Sequence, residues 1–126
     1  MLLVGCSNDL QNTEQSIVVE KRIGDENNYE DFREVTDNEQ VQKLLEILQD
    51  ANWIDAEIEM NSHPDYRFAL RFTNPDIEAK AVLYELWITP YKDKVELIGG
   101  YQYVKLGKNE STELFEIVTG EKLTDQ

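Results

Sequence analysis

Apolar positions along this chain follow two periods, and the change between them falls at Trp53. From Thr36 to Trp53, Val41, Leu44, Leu45 and Leu48 recur at the i, i+3, i+4, i+7 spacing of one helix face. Thr36 and Glu39 have the spacing of a capping box, in which each side chain satisfies the other's free backbone N–H. Asn52 suits the left-handed conformation after a last helical turn, and Trp53 is expected to fold back on Leu48. A helix of about 14 residues is marginal alone in water, so its apolar stripe requires a partner surface.

After Trp53 the period becomes two. Ile54, Ala56, Ile58 and Met60 alternate with Asp55, Glu57 and Glu59. Tyr66, Phe68, Leu70 and Phe72 then alternate with Arg67, Ala69 and Arg71. Asn61-Ser62-His63-Pro64-Asp65 between them reads as a five-residue turn, which predicts a hairpin. Closing it between Met60 and Tyr66 places Glu59 opposite Arg67 and Asp55 opposite Arg71. The same register sets Ile58 on Phe68, Ala56 on Leu70 and Ile54 on Phe72.

Elsewhere the pattern predicts a first strand over Ile17–Ile23, a loop over Gly24–Asp31 and a short strand over Phe32–Val35. Asn74-Pro75-Asp76 breaks the chain before Val82–Ile88, whose two faces are both largely apolar, as in a central strand. Lys94–Ile98 and Tyr101–Leu106 flank Gly99-Gly100, a two-residue hairpin signal. Asn109 is expected to cap a last helix carrying Leu114, Phe115 and Val118, closed by Gly120. The order predicts an α+β domain over residues 17–123, an antiparallel meander with two helices packed on one face.

Charge changes the picture of partners. The net charge is −14, and residues 1–65 hold 16 acidic and 4 basic side chains. Such a surface repels nucleic acid and anionic headgroups, and it favours cations and basic protein surfaces. With one cysteine, Cys6, no intramolecular disulfide can form, so packing alone must hold the fold. No run of about 20 apolar residues encodes a transmembrane helix.

Leu3-Val4-Gly5-Cys6 has the form of a bacterial lipobox, in which small residues precede the cysteine that accepts a thioether-linked lipid. Ser7–Ser16, SNDLQNTEQS, is polar and reads as a tether, so residues 1–16 are expected to be a lipobox remnant and spacer. A full signal also needs a basic n-region and an apolar h-region, and neither precedes Leu3. The match is therefore the end of a signal that begins upstream, or else an accident that leaves Cys6 a stray thiol.

Catalytic chemistry finds few candidates. His63, the single histidine, lies in a turn and has no companion for a zinc set. Asp55, Glu57 and Glu59 on one strand face would stand about 6.5–7 Å apart in successive pairs, the range of an acid/base pair. Pairing with Arg67 and Arg71 is the plainer account of two of them. The oxygens of Gly24–Asp31 lack the spacing and central glycine of an EF-hand loop. Asn109-Glu110-Ser111 matches a glycosylation sequon, which an N-cap asparagine explains equally well. Tyr84, Trp87, Tyr91, Tyr101 and Tyr103 are a conceivable stacking surface, although strands favour these residues anyway.

The lipobox-like start, the helix ending in ANW, the turn HPDY, the strand VLYELWITP, the following KDKVELI and the closing STELFEIVTGEKL together resemble the YhfM-type small lipoproteins of bacilli. That resemblance spans most of residues 32–123. It implies an extracytoplasmic, membrane-tethered domain of uncharacterised activity, with Cys6 as its lipid-acceptor residue. The expectation is a monomeric, non-catalytic binding or structural module on the outer face of the cell membrane, with no cofactor, no metal site and no nucleic-acid partner. It would be held to the membrane by its lipid and would meet a protein partner at the cell surface. The alternative is a cation-dependent hydrolase built on Asp55, Glu57 and Glu59.

Overall fold

The computed structural model describes residues 15–55, 57–72 and 82–126. Strands β1 (Gln15–Arg22) and β2 (Tyr29–Val35) precede helix α1 (Asn38–Asp50). Then come β3 (Ile54–Asp55), β4 (Tyr66–Phe72), β5 (Val82–Ile88), β6 (Val95–Gly99), β7 (Gln102–Lys105) and helix α2 (Lys108–Thr119). The described strands form one antiparallel seven-stranded sheet in the order β2-β1-β4-β5-β6-β7-β3. Both helices pack on one face, as the pattern predicts.

Alternation sorts the strands cleanly. Ile17, Val19, Phe68, Leu70, Leu86, Val95, Leu97 and Val104 point to the helical layer and are buried with Val41, Leu44, Ile47 and Leu48 of α1 and Leu114, Phe115 and Val118 of α2. Around the seam of strands and α2, Tyr66 meets Phe115 edge-on at 5.7 Å, and Phe68 stacks on Tyr84 at 5.2 Å. Between β1 and β2 the register shifts at Val19/Glu20, leaving Phe32 as the extra residue of a bulge. Phe32 packs against the core, 5.6 Å from Tyr66 and at a steep angle to it.

The expected hairpin of Ile54–Met60 with Tyr66–Phe72 does not form. Ile54 and Asp55 pair with Tyr103 and Gln102 at the far edge of the sheet, while β4 pairs with β1 and β5. The outer-face partner of Arg67 is Glu20, at 3.2 Å, in place of Glu59. Arg71 lies across from Ser16 in place of Asp55. β1 satisfies the same two-faced alternation: Ile17 faces Leu70, Val19 faces Phe68 and Glu20 faces Arg67. It also contributes a full ladder of backbone hydrogen bonds, which residues 57–65 do not. Ala56, expected opposite Leu70, lies outside the described residues, as do Asn74-Pro75-Asp76.

Helix ends depart from expectation in detail. In α1 the N-cap is Asp37 without a side-chain cap bond, so the Thr36–Glu39 box is not made. Its C-cap, Ala51, is extended, and Asn52 is not left-handed. Trp53 does fold back, donating from Nε1 to the Leu48 carbonyl at 2.7 Å. On the buried stripe Ile47 stands where the pattern favoured Leu45, which is half-buried. For α2 the N-cap is Gly107, again without a side-chain bond, so Asn109 sits in the first turn. Gly120 closes it as expected, at φ +74° with its N–H donating to Glu116 O at 2.8 Å. The β6–β7 turn falls one residue later than read: Gly99 pairs with Gln102, and Gly100 takes φ +62°.

Candidate functional site

Two regions are shaped well enough to be examined for chemistry. One is the groove between the helices; the other is the segment that crosses the sheet face opposite them. A cavity of about 370 Å³ lies between the C-terminal half of α1 and the start of α2, lined among others by Lys43, Glu46, Asp50, Lys105, Glu110 and Glu113. A second, of about 590 Å³, lies toward the α1 N-terminus, with Arg33, Asp37, Glu39, Glu116 and Gly120 on its walls. Lys43 and Glu113 line both and form an ion pair at 3.6 Å between them. This is a predominantly acidic, solvated groove whose ion pair is half-exposed and worth about 0–1 kcal/mol.

On the opposite face, residues 57–65 run from the β3 edge back to β4, where their last part is fastened to the sheet. Trp87 Nε1 donates to Ser62 O at 2.9 Å, Tyr29 Oη to Pro64 O at 2.7 Å and Arg22 Nη1 to His63 O at 2.7 Å. Asp65 completes the fastening: its carboxylate accepts the Ile88 N–H at 2.8 Å and pairs with Arg22 at 3.3 Å. Sequence reasoning read these residues as a hairpin turn and missed the role of Asp65, which no local pattern marks. It also missed buried Ser111, whose Oγ accepts the Val95 N–H at 2.9 Å and donates to Leu106 O, tying the start of α2 to the sheet.

The acidic trio is not brought together as expected. Asp55 is on the edge strand β3 and accepts a hydrogen bond from Gln102 at 3.1 Å, whereas Glu57 and Glu59 lie outside any strand. They do not line one strand face, and the hydrolase alternative loses the geometry it was built on. His63 is exposed, and its backbone carbonyl, rather than its ring, makes the contact with Arg22. Much of the Gly24–Asp31 loop is a tight turn, closed by Ile23 N–H donating to Asn28 O at 2.8 Å; Tyr29 onward is already β2. No group of three His, Cys, Asp or Glu among the described residues is placed to hold a metal ion.

The aromatics are dispersed too. Tyr84 lies under the helices, Trp87 and Tyr103 belong to the opposite face, and Tyr91 and Tyr101 stand at opposite ends of the sheet, exposed. Shifted ionisation falls on phenols. Burial pushes the Tyr66 hydroxyl up to about 12, with Glu121 and Asp65 adding to it. Burial likewise raises Tyr29, Tyr84 and Tyr103; at Tyr103 the neighbouring Glu96 carboxylate contributes and at Tyr29 Arg67 opposes. Phenols raised in this way stay protonated and serve as donors and packing groups.

Comparison with known proteins now bears on this arrangement. The model of a family described as YhfM protein matches residues 11–124. The chain belongs to this family. Its match covers all seven described strands and both helices, so the YhfM family is defined over the fold above. No curated protein matches the chain. Among solved structures, a thioesterase-like protein from Clostridium sporogenes is similar, with a TM-score of 0.55 and 18% identity over 81% of this chain and 91% of that one. At that identity the likeness is one of fold. Cys6 lies outside the described residues.

Proposed function

We propose that this YhfM-family chain is the extracytoplasmic domain of a lipid-anchored bacterial protein, attached through Cys6 and acting as a non-catalytic binding or structural module. One observation carries the reading: in the sequence Leu3-Val4-Gly5-Cys6 is followed by a polar stretch, Ser7 to Ser16, ahead of the apolar alternation that opens the domain at Ile17. Anchor, spacer and folded unit thus follow in the order that a tethered domain requires. The scattering of Asp55, Glu57, Glu59 and His63 supports a module that presents surfaces. No helix among the described residues is long and apolar enough to cross a membrane. Attachment would come from acyl chains, of which two suffice and one is marginal.

The test expresses the full precursor in a bacterial host with labelled fatty acid and fractionates the cells. Wild type is expected to carry label in the membrane fraction, and Cys6→Ser to be unlabelled. If both are equally unlabelled and soluble, Cys6 is a stray thiol and the proposal fails.

A further inference from the structure

The two helices end in different ways, and the difference falls inside a cavity. α2 closes on Gly120, whose N–H donates to Glu116 O. α1 ends on Ala51, which is extended and makes no such bond among the described residues. In its last turn the Leu48 carbonyl accepts Trp53 Nε1 at 2.7 Å, while those of Gln49 and Asp50 accept no hydrogen bond from the described residues. A helix C-terminus is the negative end of the macrodipole, and cations stabilise it. Here no basic residue stands in the last turn. The exposed carboxylate of Asp50 stands there instead, and exposed Glu46 lies one turn before it. At i, i+4 the two also repel each other.

The neighbouring cations are engaged elsewhere. Lys43 pairs with Glu113 at 3.6 Å and Lys105 with Glu96 at 3.8 Å, and no described cation stands within 4.0 Å of Glu46 or Asp50. Glu110, across the cavity, has a plain explanation by contrast, since it sits in the first turn of α2 near that helix's positive end.

These groups open on the cavity of about 370 Å³ between the helices, at the low end of the volumes that hold small ligands. Ile47, Val104 and Leu106, otherwise buried, give it an apolar floor. The occupant that suits both features has an aliphatic stem for the floor and a cationic head for the Glu46–Asp50 wall. A bare metal ion does not, because no group of three His, Cys, Asp or Glu among the described residues is placed to hold one. A guanidinium is weakly hydrated and carries several N–H donors in a fixed fork, so it can reach a carboxylate and free helix carbonyls together.

Building on the reading of the chain as a binding module, we propose that the cavity at the C-terminal end of α1 receives an arginine side chain of a partner protein. Its guanidinium lies against Glu46, Asp50 and the free carbonyls of the last turn, and its stem lies on Ile47, Val104 and Leu106. The −14 charge draws a basic partner surface to the domain, and this cavity fixes where one of that surface's side chains is seated.

The experiment titrates the isotope-labelled chain with acetyl-Ala-Arg-Ala-amide and follows backbone amides by NMR. Shifts are expected in residues 46–52 and 104–107, and the isosteric citrulline peptide, which has lost the charge, should produce almost none. Glu46→Gln with Asp50→Asn should weaken binding at least about fivefold, the combined effect of two exposed ion pairs. Glu30→Gln with Glu34→Gln lowers the charge equally at the opposite edge of the sheet and should change binding less than about twofold, because salt screens that distance. Equal weakening by both variants, or shifts spread over the acidic surface, means that the peptide senses net charge alone and overturns the site. In the free protein, Asp50→Asn alone should raise the urea midpoint by removing a carboxylate from the negative helix end. An unchanged or lower midpoint shows that Asp50 is already satisfied and overturns the site as well. None of these readings depends on Cys6. Failure here alongside fatty-acid labelling of Cys6 in cells refutes the site and leaves the anchor standing, whereas binding at this cavity with an unlabelled Cys6 does the reverse.

Discussion

Leu44→Ala tests the helix–sheet seam because Leu44 has no exposed surface and lies among the core residues of both layers. Truncation removes the equivalent of three methylenes, a transfer loss of about 2.4 kcal/mol at about 0.8 each. An unrelaxed cavity on the order of 50 Å³, at about 24 cal/mol per Å³, adds about 1 kcal/mol. The expected loss is about 3.5 kcal/mol. Leu45→Ala is the control on the neighbouring position, where the side chain is half-buried, and should lose no more than about 1 kcal/mol. Urea denaturation at constant slope reads both, since an unchanged slope keeps the difference a statement about stability. Equal losses at the two positions, or a loss below about 1 kcal/mol at Leu44, would mean that α1 presents a different face to the sheet and would refute the reasoning.

Other perturbations follow from single contacts. Gly120→Ala should cost about 1–2 kcal/mol in denaturation, because φ is +74° and a Cβ would fall on the Arg33 guanidinium; an Arg33→Ala background should recover the steric share alone. Asp65→Ala should cost about 1–2 kcal/mol by removing the Arg22 pair and the acceptor of Ile88 N–H, with a change in Trp87 fluorescence as residues 62–65 loosen. Tyr66 has its folded pKa raised from 10.0 to about 12. Its contribution is therefore fully present below pH 10 and is lost as pH rises from about 10 to about 12, and Tyr66→Phe should flatten that decline in denaturation midpoints.

How much of this was legible depends on whether a residue's partner is near in sequence. The stripe on α1, the fold-back of Trp53, β5 as a central strand and the left-handed Gly120 all rest on local spacing or on residue type, and they hold. The partner of β4 does not, because pairing is a long-range choice. Glu59 and Asp55 opposite Arg67 and Arg71 satisfied both faces of a local hairpin, yet Glu20 of β1 satisfies Arg67 equally well. Alternation fixes which side chains share a face and leaves open which strand lies alongside. The bulge at Phe32 was equally hidden, since one extra residue shifts the register without changing composition. The lipobox-like Leu3–Cys6 is a local motif that lies outside the described residues, while the fastening of residues 62–65 by Arg22, Tyr29, Asp65 and Trp87 joins positions up to 43 apart in the chain.

The tethered-domain reading is tested most directly by the intact mass of the mature protein recovered from cells expressing the full precursor. Detergent extraction of membranes is predicted to yield a chain whose N-terminal residue is Cys6, heavier than the polypeptide by a diacylglyceryl group. A soluble product with an unmodified Cys6 thiol, and nothing in the membrane extract, would contradict it.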